Sequence, residues 1–383
     1  EELKNLLNTV VVEAEIRMVL NKKVAIITAE GQVFIPKIFY LRERTLAMVA
    51  KNRPSMNSHD DEQLDGLLGR MYTILTGAAG TGKTTHLRNV KAYLEGQGYT
   101  VALTALTGKA ASVLGNGAMT LHKLLGYGHG GFKVKAIKQD VVIVDEASMM
   151  DWYTAHTLYK AIGEGRVILS GDPNQLPPVK GGSVFEELIP LLPNVKLEKV
   201  HRFVGGEANV QVIPRKNVQE LLSATTTLAM SMSLKGESFQ VITPVNGSLI
   251  GIFALNKALQ GKLNPGGKKV TDKYRLGDRV ILTKNCYGKD SCDGPVYNGQ
   301  MGYLVDGQDT QLFVRMERNG EVLPFFEEEI EMAWALTVHR AQGSQFENVI
   351  FVAPKTQCGD FLDEKMMYTG NTRGKVKTYC LVA

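Results

Sequence analysis

The chain has 383 residues, 44 Lys+Arg against 39 Asp+Glu for a formal charge of +5, and 44% hydrophobic residues. That composition is of an ordinary globular protein and excludes a mostly disordered or fibrous chain, and at ~150 residues per domain the length implies two or three domains. Apolar runs such as Val141–Val144 fall far short of the ~20 residues that cross a bilayer, so no membrane partner is expected. The chain opens on Glu1-Glu2, with no initiator Met and no apolar secretory core, as a fragment or processed product without an export signal would. Cys286, Cys292, Cys358 and Cys380 form no CxxC pair and have no His at zinc spacing, which predicts free thiols in a reducing cytoplasm. Basic residues gather at 133–138, 262–279 and 373–377, and the acidic run Glu327–Glu331 reads as a solvated face.

In chain order, Glu2–Leu20 carries apolar residues at mixed helical spacing. Val24–Thr28 and Val33–Ile35 then flank a Glu30-Gly31 turn and predict a hairpin, so residues 1–50 read as a winged-helix-like region. From Met71 the order strand, glycine loop, helix, strand repeats, the pattern of parallel sheets with crossover helices. Over 274–331, β-like runs (Arg279–Thr283, Leu312–Arg315) alternate with Asn-Gly and Asp-Gly turns. They predict a small antiparallel barrel inserted into the second α/β unit.

Gly77-Ala78-Ala79-Gly80-Thr81-Gly82-Lys83-Thr84 fits G-x-x-x-x-G-K-[ST] between an apolar run and a helical stretch, the context such a phosphate loop requires. Its backbone N–H groups would wrap a β-phosphate, helped by the positive end of the helix that continues through Thr85. Lys83 would reach the β- and γ-phosphates, and the Thr84 hydroxyl is a natural Mg²⁺ ligand. Val141–Glu146 is an apolar strand ending in two carboxylates. Asp145 would hold Mg²⁺ through water, while Glu146 would polarise the attacking water, which points to ATP hydrolysis rather than binding alone. Upstream, Gln63 has the amide donor and acceptor that could read an adenine edge.

Further segments together resemble the superfamily 1 DNA helicases of the RecD-like branch. Leu106–Ala111 is similar to motif Ia, Met119–Gly126 to the segment after it, Ser170–Val179 to motif III and Leu197–Arg202 to motif IV. Ala335–Ser344 is similar to motif V and Tyr368–Arg373 to motif VI. The resemblance runs from about Asp61 to the C-terminus, and residues 1–50 resemble the same branch less closely. It implies two RecA-like α/β domains, 51–203 and 204–273 with 332–383, a β-hairpin insertion at about 126–139 that can serve as a strand-separating pin, and an SH3-like β-barrel at 274–331. Lys83, Glu146, Gln175, Arg202 and Arg373 would be catalytic, with Gln175 at the γ-phosphate and the two arginines reaching it from outside the phosphate-loop unit. Thr107, Lys109, Thr120, His122, Asn246, Thr337, His339 and Arg340 would contact single-stranded DNA, and Trp334 reads as core.

The resemblance therefore implies a cytoplasmic, monomeric ATP- and Mg²⁺-dependent DNA helicase acting in repair or recombination. It would move 5′-to-3′ on single-stranded DNA and open single-strand/duplex junctions. A motor that works on RNA or remodels protein–DNA complexes, and a non-motor ATP switch, are the alternatives. A nuclease is disfavoured, because no further acidic cluster stands apart from the ATP site. Two departures stand out. Ala78-Ala79 replaces the usual Gly-Pro of the loop, and Gly370 and Gly374 replace alanines in motif VI. Glycine loosens a helix by ~1 kcal/mol per site, which predicts a less rigid Arg373.

Overall fold

The computed structural model describes residues 15–19, 23–27, 33–34, 36–52, 66–115, 117–128, 130–179, 182–199, 209–291, 294–308 and 311–383. Two parallel sheets make two lobes. The first runs Asn194–Leu197, Tyr72–Gly77, Arg166–Gly171, Val141–Asp145, Val101–Ala105, Met119–Thr120 in spatial order, all neighbours parallel. Its central strands are apolar on consecutive residues because helices cover both faces. Val141 and Ile143 pack with Leu87, Val90 and Leu94 of the phosphate-loop helix Lys83–Gly96. Val142 and Val144 face the opposite core, with Trp152, Leu158 and Phe185. This period-2 division of one strand between two cores fixes its register against slippage.

The second sheet runs Val210–Pro214, Gly374–Val382, Phe346–Ala353, Phe239–Thr243, Ala335–Thr337, again parallel throughout. Both sheets thus point their strand ends toward connecting loops, where α/β proteins build their sites. Between Phe239–Thr243 and Ala335–Thr337 the chain makes a five-stranded antiparallel sheet, in the order Val322–Phe326, Gln311–Met316, Met301–Gln308, Arg279–Leu282, Ile330–Met332. It closes around Tyr274, Leu304, Val314 and Phe325, where the turn pattern places a small barrel. The hairpin expected near 126–139 is a two-residue ribbon, Tyr127–Gly128 against Gly131–Phe132.

The N-terminal region holds the expected hairpin, Lys23–Ile27 antiparallel to Val33–Phe34, but departs from its sequence reading before it: Glu15–Val19 is a strand, paired antiparallel with Lys23–Ile27. The segment Glu-Ile-Arg-Met-Val alternates polar and apolar residues, and a partner strand four residues on converts that alternation into a ladder. The rest of the expected N-terminal helix lies outside the described residues. Helix Pro36–Val49 buries Phe39 and Val49 in the first lobe's core, so the expected boundary at residue 50 falls after an element that already belongs to that lobe.

A buried carboxylate, Asp278, helps fasten the inserted sheet to the second lobe, beside Arg279 Nη1, which donates to Phe239 O and Gln240 Oε1 (2.9 Å each). Asp278 accepts from Gln260 Nε2 (2.6 Å) and Asn264 Nδ2 (2.8 Å), from the backbone N–H of Arg275 (2.7 Å) and from the Trp334 indole (3.4 Å). Trp334, expected in the core, packs partly buried in the second lobe. Removing the carboxylate by Asp278→Ala strands these donors, each worth about 1–3 kcal/mol when buried and unpaired. The expected loss is at least ~3 kcal/mol, read as a lower urea midpoint.

Candidate nucleotide cleft and nucleic-acid groove

Strand Tyr72–Gly77 ends buried, and the loop after it turns into helix Lys83–Gly96 through Gly82, which adopts φ 83° and caps the helix without a side-chain hydrogen bond. Only glycine takes that left-handed turn without strain, and it leaves the first-turn N–H groups aimed outward as an anion site. The loop closes on itself. Lys83 Nζ donates to the carbonyls of Gly77 (2.6 Å) and Ala78 (3.0 Å), and Thr81 Oγ1 donates to Ala78 O at 3.0 Å. Ala79, Gly80, Gly82, Lys83, Thr84 and Thr85 line one wall of a cleft whose other walls include Asp145, Glu146, Gln175 and Arg373. The structure therefore gathers the expected carboxylate, glutamine and motif VI arginine residues with most of the phosphate loop in one cavity, while Gly77, Ala78 and Thr81 do not line it. Gln63 and Arg202 lie outside the described residues.

Asp145 Oδ2 accepts from Thr84 Oγ1 at 3.0 Å, and its Oδ1 accepts from Ser170 Oγ (3.1 Å) and the Glu146 N–H (2.9 Å). Glu146 sits at φ 56°, ψ 34°, a left-handed backbone that costs a non-glycine residue of order 1 kcal/mol or more. Burial, and then the Asp145 charge, raise its carboxyl above the usual glutamate range, with Arg373 and Lys83 opposing. Arg373 is 2% exposed. It donates to Thr369 O (2.9 Å), Ser344 O (3.4 Å) and Thr372 Oγ1 (3.2 Å). The expected looseness of motif VI is not observed. Gly370 lies against the Phe351 ring, where a Cβ would come within 2.7 Å, so glycine is there for packing and Arg373 is fixed on three sides.

Tyr368 joins the two lobes at this cleft. Its hydroxyl donates to Asp172 Oδ2 (2.8 Å) and accepts from the Ala79 N–H of the phosphate loop (3.2 Å). Burial and then Asp172 raise its pKa, which keeps the phenol a donor. The sequence pattern places Tyr368 in motif VI without a role for it, because its partners come from the other lobe.

A second groove runs between the lobes. Thr107, Lys109, Thr120 and His122 line it from the first, and His339 and Arg340 from the second, with Asn285 and Asn298 added from the inserted segment. Thr107 and Thr120 are helix N-caps, accepting from Ala110 N and Lys123 N (3.1 Å each). An N-capping hydroxyl still has its own hydrogen to donate. Thr337 does the same for helix Val338–Ala341, but neither it nor the exposed Asn246 lines this groove. The lobes meet closely beside it. Gly343, at φ 68°, approaches Thr107 so nearly that a Cβ would stand 2.6 Å from its hydroxyl. Asn285 carries no sequence signal, and Asn298 is signalled only as part of an Asn-Gly turn of the inserted segment, not as a groove residue.

The groove's charges are modest. Lys109 lies over the Phe346 ring (4.8 Å) and burial, opposed by Glu317, pulls its pKa down to about 8. Arg340 pairs with Glu331 at 2.5 Å. Burial lowers both His122 (opposed by Asp151) and His339, which favours their neutral forms. His122 heads a row of rings, with Tyr127 at 5.2 Å and Phe132 at 5.6 Å, and Phe132 is 5.2 Å from Tyr153.

A carboxylate that takes a proton from water must be ionised, so a raised Glu146 pKa displaces the acid limb of nucleotide hydrolysis above the ordinary glutamate value of 4.5. The rate should fall as pH drops through the raised value. Glu146→Gln should lose ~10²–10⁴ in rate and with it that limb, while nucleotide affinity, measured by a fluorescent analogue, is kept. An unchanged limb in Glu146→Gln would remove Glu146 from the role.

Known proteins match both lobes. A family model for an AAA domain matches residues 62–232, and one for the UvrD-like helicase C-terminal domain matches 332–380. The chain is 32% identical to the ATP-dependent RecD2 DNA helicase of Deinococcus radiodurans over 91% of its own length, and spans 55% of that protein. It is 26% identical to the RecD subunit of the RecBCD enzyme of Mycolicibacterium smegmatis, over 81% of this chain and 68% of that one. Bacteroides Pif1 bound to single-stranded DNA shares the fold with a TM-score of 0.54 at 20% identity, over 84% of this chain and 92% of that one. Pif1 of Candida albicans does so at 0.50 and 18%, over 85% and 94%. A phosphate-loop lobe and a helicase C-terminal lobe, matched in that order along one chain, and the likeness to RecD2 and RecD make the chain similar to the RecD-like superfamily 1 helicases.

Proposed function

We propose that this protein is an ATP-driven motor that moves 5′-to-3′ along single-stranded DNA and opens duplexes at single-strand/duplex junctions, as a monomer in the cytoplasm. One observation carries the reading: a hydrolytic cleft with its cation from the second lobe, and beside it a separate groove to which both lobes contribute. ATP between the lobes would draw Arg373 and the phosphate loop together, and release of phosphate would let them part, so that the groove changes shape once per turnover. The names of the relatives support this, since the Deinococcus protein is an ATP-dependent DNA helicase, a Bacteroides Pif1 structure is bound to single-stranded DNA, and another Pif1 structure concerns DNA unwinding at forked duplex DNA.

In that cycle Lys83 and the loop N–H groups hold the phosphates, Glu146 takes the proton of the attacking water, and Gln175 and Arg373 meet the γ-phosphate. Thr84 and Asp145 present adjacent hard oxygens at the cleft and would hold Mg²⁺. Among the described residues no group of three or more His, Cys, Asp and Glu forms, which suits an ion that completes its shell with phosphate oxygens and water. When bound it neutralises phosphate charge. Gln63 would read the adenine, Arg202 would add a second cation, and Asn246 and Thr337 would touch the strand beyond the groove. We assign RecA-like domains to 51–203, with helix Pro36–Val49 packed into the first, and to 204–273 with 332–383. Residues 274–331 are assigned as an SH3-like barrel and the 126–139 hairpin as a strand-separating element. The winged-helix-like reading of 1–50 rests on its three-stranded sheet alone. Among the described residues no helix is long and apolar enough to cross a membrane.

Strand separation on 5′-tailed and 3′-tailed duplexes, with ATPase activity followed with and without single-stranded DNA, tests the motor. Opening of the 5′-tailed duplex alone is expected. DNA-stimulated hydrolysis with neither duplex opened favours a translocase or remodeller, and no stimulation favours a switch. A second test uses Lys109, which is charged below about pH 8 and neutral above it. The log–log salt slope for single-strand binding should shrink by ~0.7 from pH 7 to pH 9, the loss of one phosphate contact. Lys109→Met should show the smaller slope at both pH values; a slope that still changes with pH in the variant would clear Lys109 of the contact.

A further inference from the structure

Gln175 is followed by a residue that belongs, physically, to the other lobe. Leu176 lies in the first lobe's chain, yet its side chain is 6% exposed in the second lobe's core, among Ile242, Leu336, Val338 and Phe351. Its peptide groups are gripped on both sides by second-lobe side chains. The Leu176 N–H donates to Thr369 Oγ1 (3.0 Å), and its carbonyl accepts from Gln342 Nε2 (2.9 Å). Thr369 is fully buried and Gln342 is nearly so. Three residues before Gln175, Asp172 is held by the Tyr368 hydroxyl, and the Gln175 N–H donates back to Asp172 O at 3.1 Å. Between these anchors Gln175 lines the nucleotide cleft, buried, with its Oε1 unpartnered among the described residues. Gln342 meanwhile lines the nucleic-acid groove.

We propose that Thr369 and Gln342 are positioning residues that set the place of Gln175 through the Leu176 peptide, so that a strand in the groove controls hydrolysis in the cleft; this deepens the helicase reading and rests on it. Leu176 cannot follow the first lobe in a separation without leaving an apolar core and breaking two buried hydrogen bonds. The 172–176 loop therefore travels with the second lobe, and Gln175 travels with it. A strand that bridges both lobes selects one lobe separation, and through this linkage selects one position of Gln175. A single side chain spans the distance between the two sites: Gln342 lines the groove and holds the carbonyl of the residue next to Gln175.

The test compares wild type with Thr369→Val, which loses the acceptor, and Thr369→Ser, which restores it. kcat and KM for ATP are measured with saturating single-stranded DNA, and strand affinity alongside. In Thr369→Val the DNA-stimulated kcat should fall roughly tenfold or more, as a small misplacement at a reacting centre does. KM and strand affinity should stay within about twofold, the pattern of an interaction felt only in the chemical step, and Thr369→Ser should recover most of the rate. Full stimulation in Thr369→Val overturns the inference and leaves the helicase reading standing, as does a parallel loss of nucleotide or strand binding, which marks plain structural damage. Wild type without stimulation sinks the helicase reading itself, and the inference with it. Should Thr369→Val not fold, hydrogen exchange at the Leu176 amide of wild type decides: protection that rises with single-stranded DNA upholds the link, and protection indifferent to it breaks the link.

Discussion

A guanidinium buried without a counter-charge in contact is the constraint around which this molecule is arranged. Arg373 is almost wholly removed from water, and among the described residues no carboxylate stands within ion-pair distance of it; its donors meet two carbonyls and a hydroxyl. Burial disfavours its charge, the Glu146 and Asp172 carboxylates offset that in part without touching it, and an anion delivered to it relieves the rest. The acids nearby do not provide that relief by contact. Burial and mutual repulsion already disfavour the charge on Glu146, and Asp145 is occupied by Thr84, Ser170 and the Glu146 N–H. What fits between Arg373 and the phosphate loop is a group of high negative charge, and any such group must touch both lobes.

Everything else keeps that gap the right width. The two parallel sheets present their loop ends to each other, and the lobes meet through contacts too close to be incidental: Gly343 against Thr107, Tyr368 against Ala79 and Asp172, Leu176 inside the second core. The inserted antiparallel sheet, fastened by Asp278 and Arg279, extends the second lobe's wall toward the groove with Asn285 and Asn298. Cleft and groove are therefore two faces of one joint, and a change in either must be felt in the other.

Much of the first lobe is legible in the sequence because its chemistry is written in contiguous residues. A phosphate loop must sit between a strand and a helix, and an apolar strand that ends in Asp-Glu has only one way to face a cleft. The groove is readable in part, since Thr107 and Thr120 lie in motifs, and the structure explains why threonine serves there: each begins a helix. The clamps on Leu176 are not readable. Thr369, Gln342 and Leu176 lie far apart in sequence, and nothing local says that a leucine of one lobe completes the core of the other. The strand Glu15–Val19 escapes a sequence reading because a short alternating run stays ambiguous until its partner is known. At Gly370 intrinsic helix propensity misleads, since the close approach of Phe351 overrides it.

The left-handed backbone of Glu146 sets two selective pressures against each other at a single codon. Glycine or asparagine would sit at φ 56° with less strain, so replacing the glutamate by either should make the fold more stable by up to ~1 kcal/mol. On the proposed reading, in which Glu146 takes a proton from water, glutamate persists there only as long as turnover is worth more than that margin. In a lineage that kept the two-lobed scaffold but lost its need for a motor, this position should be among the first to drift, and toward the residues that relax the turn.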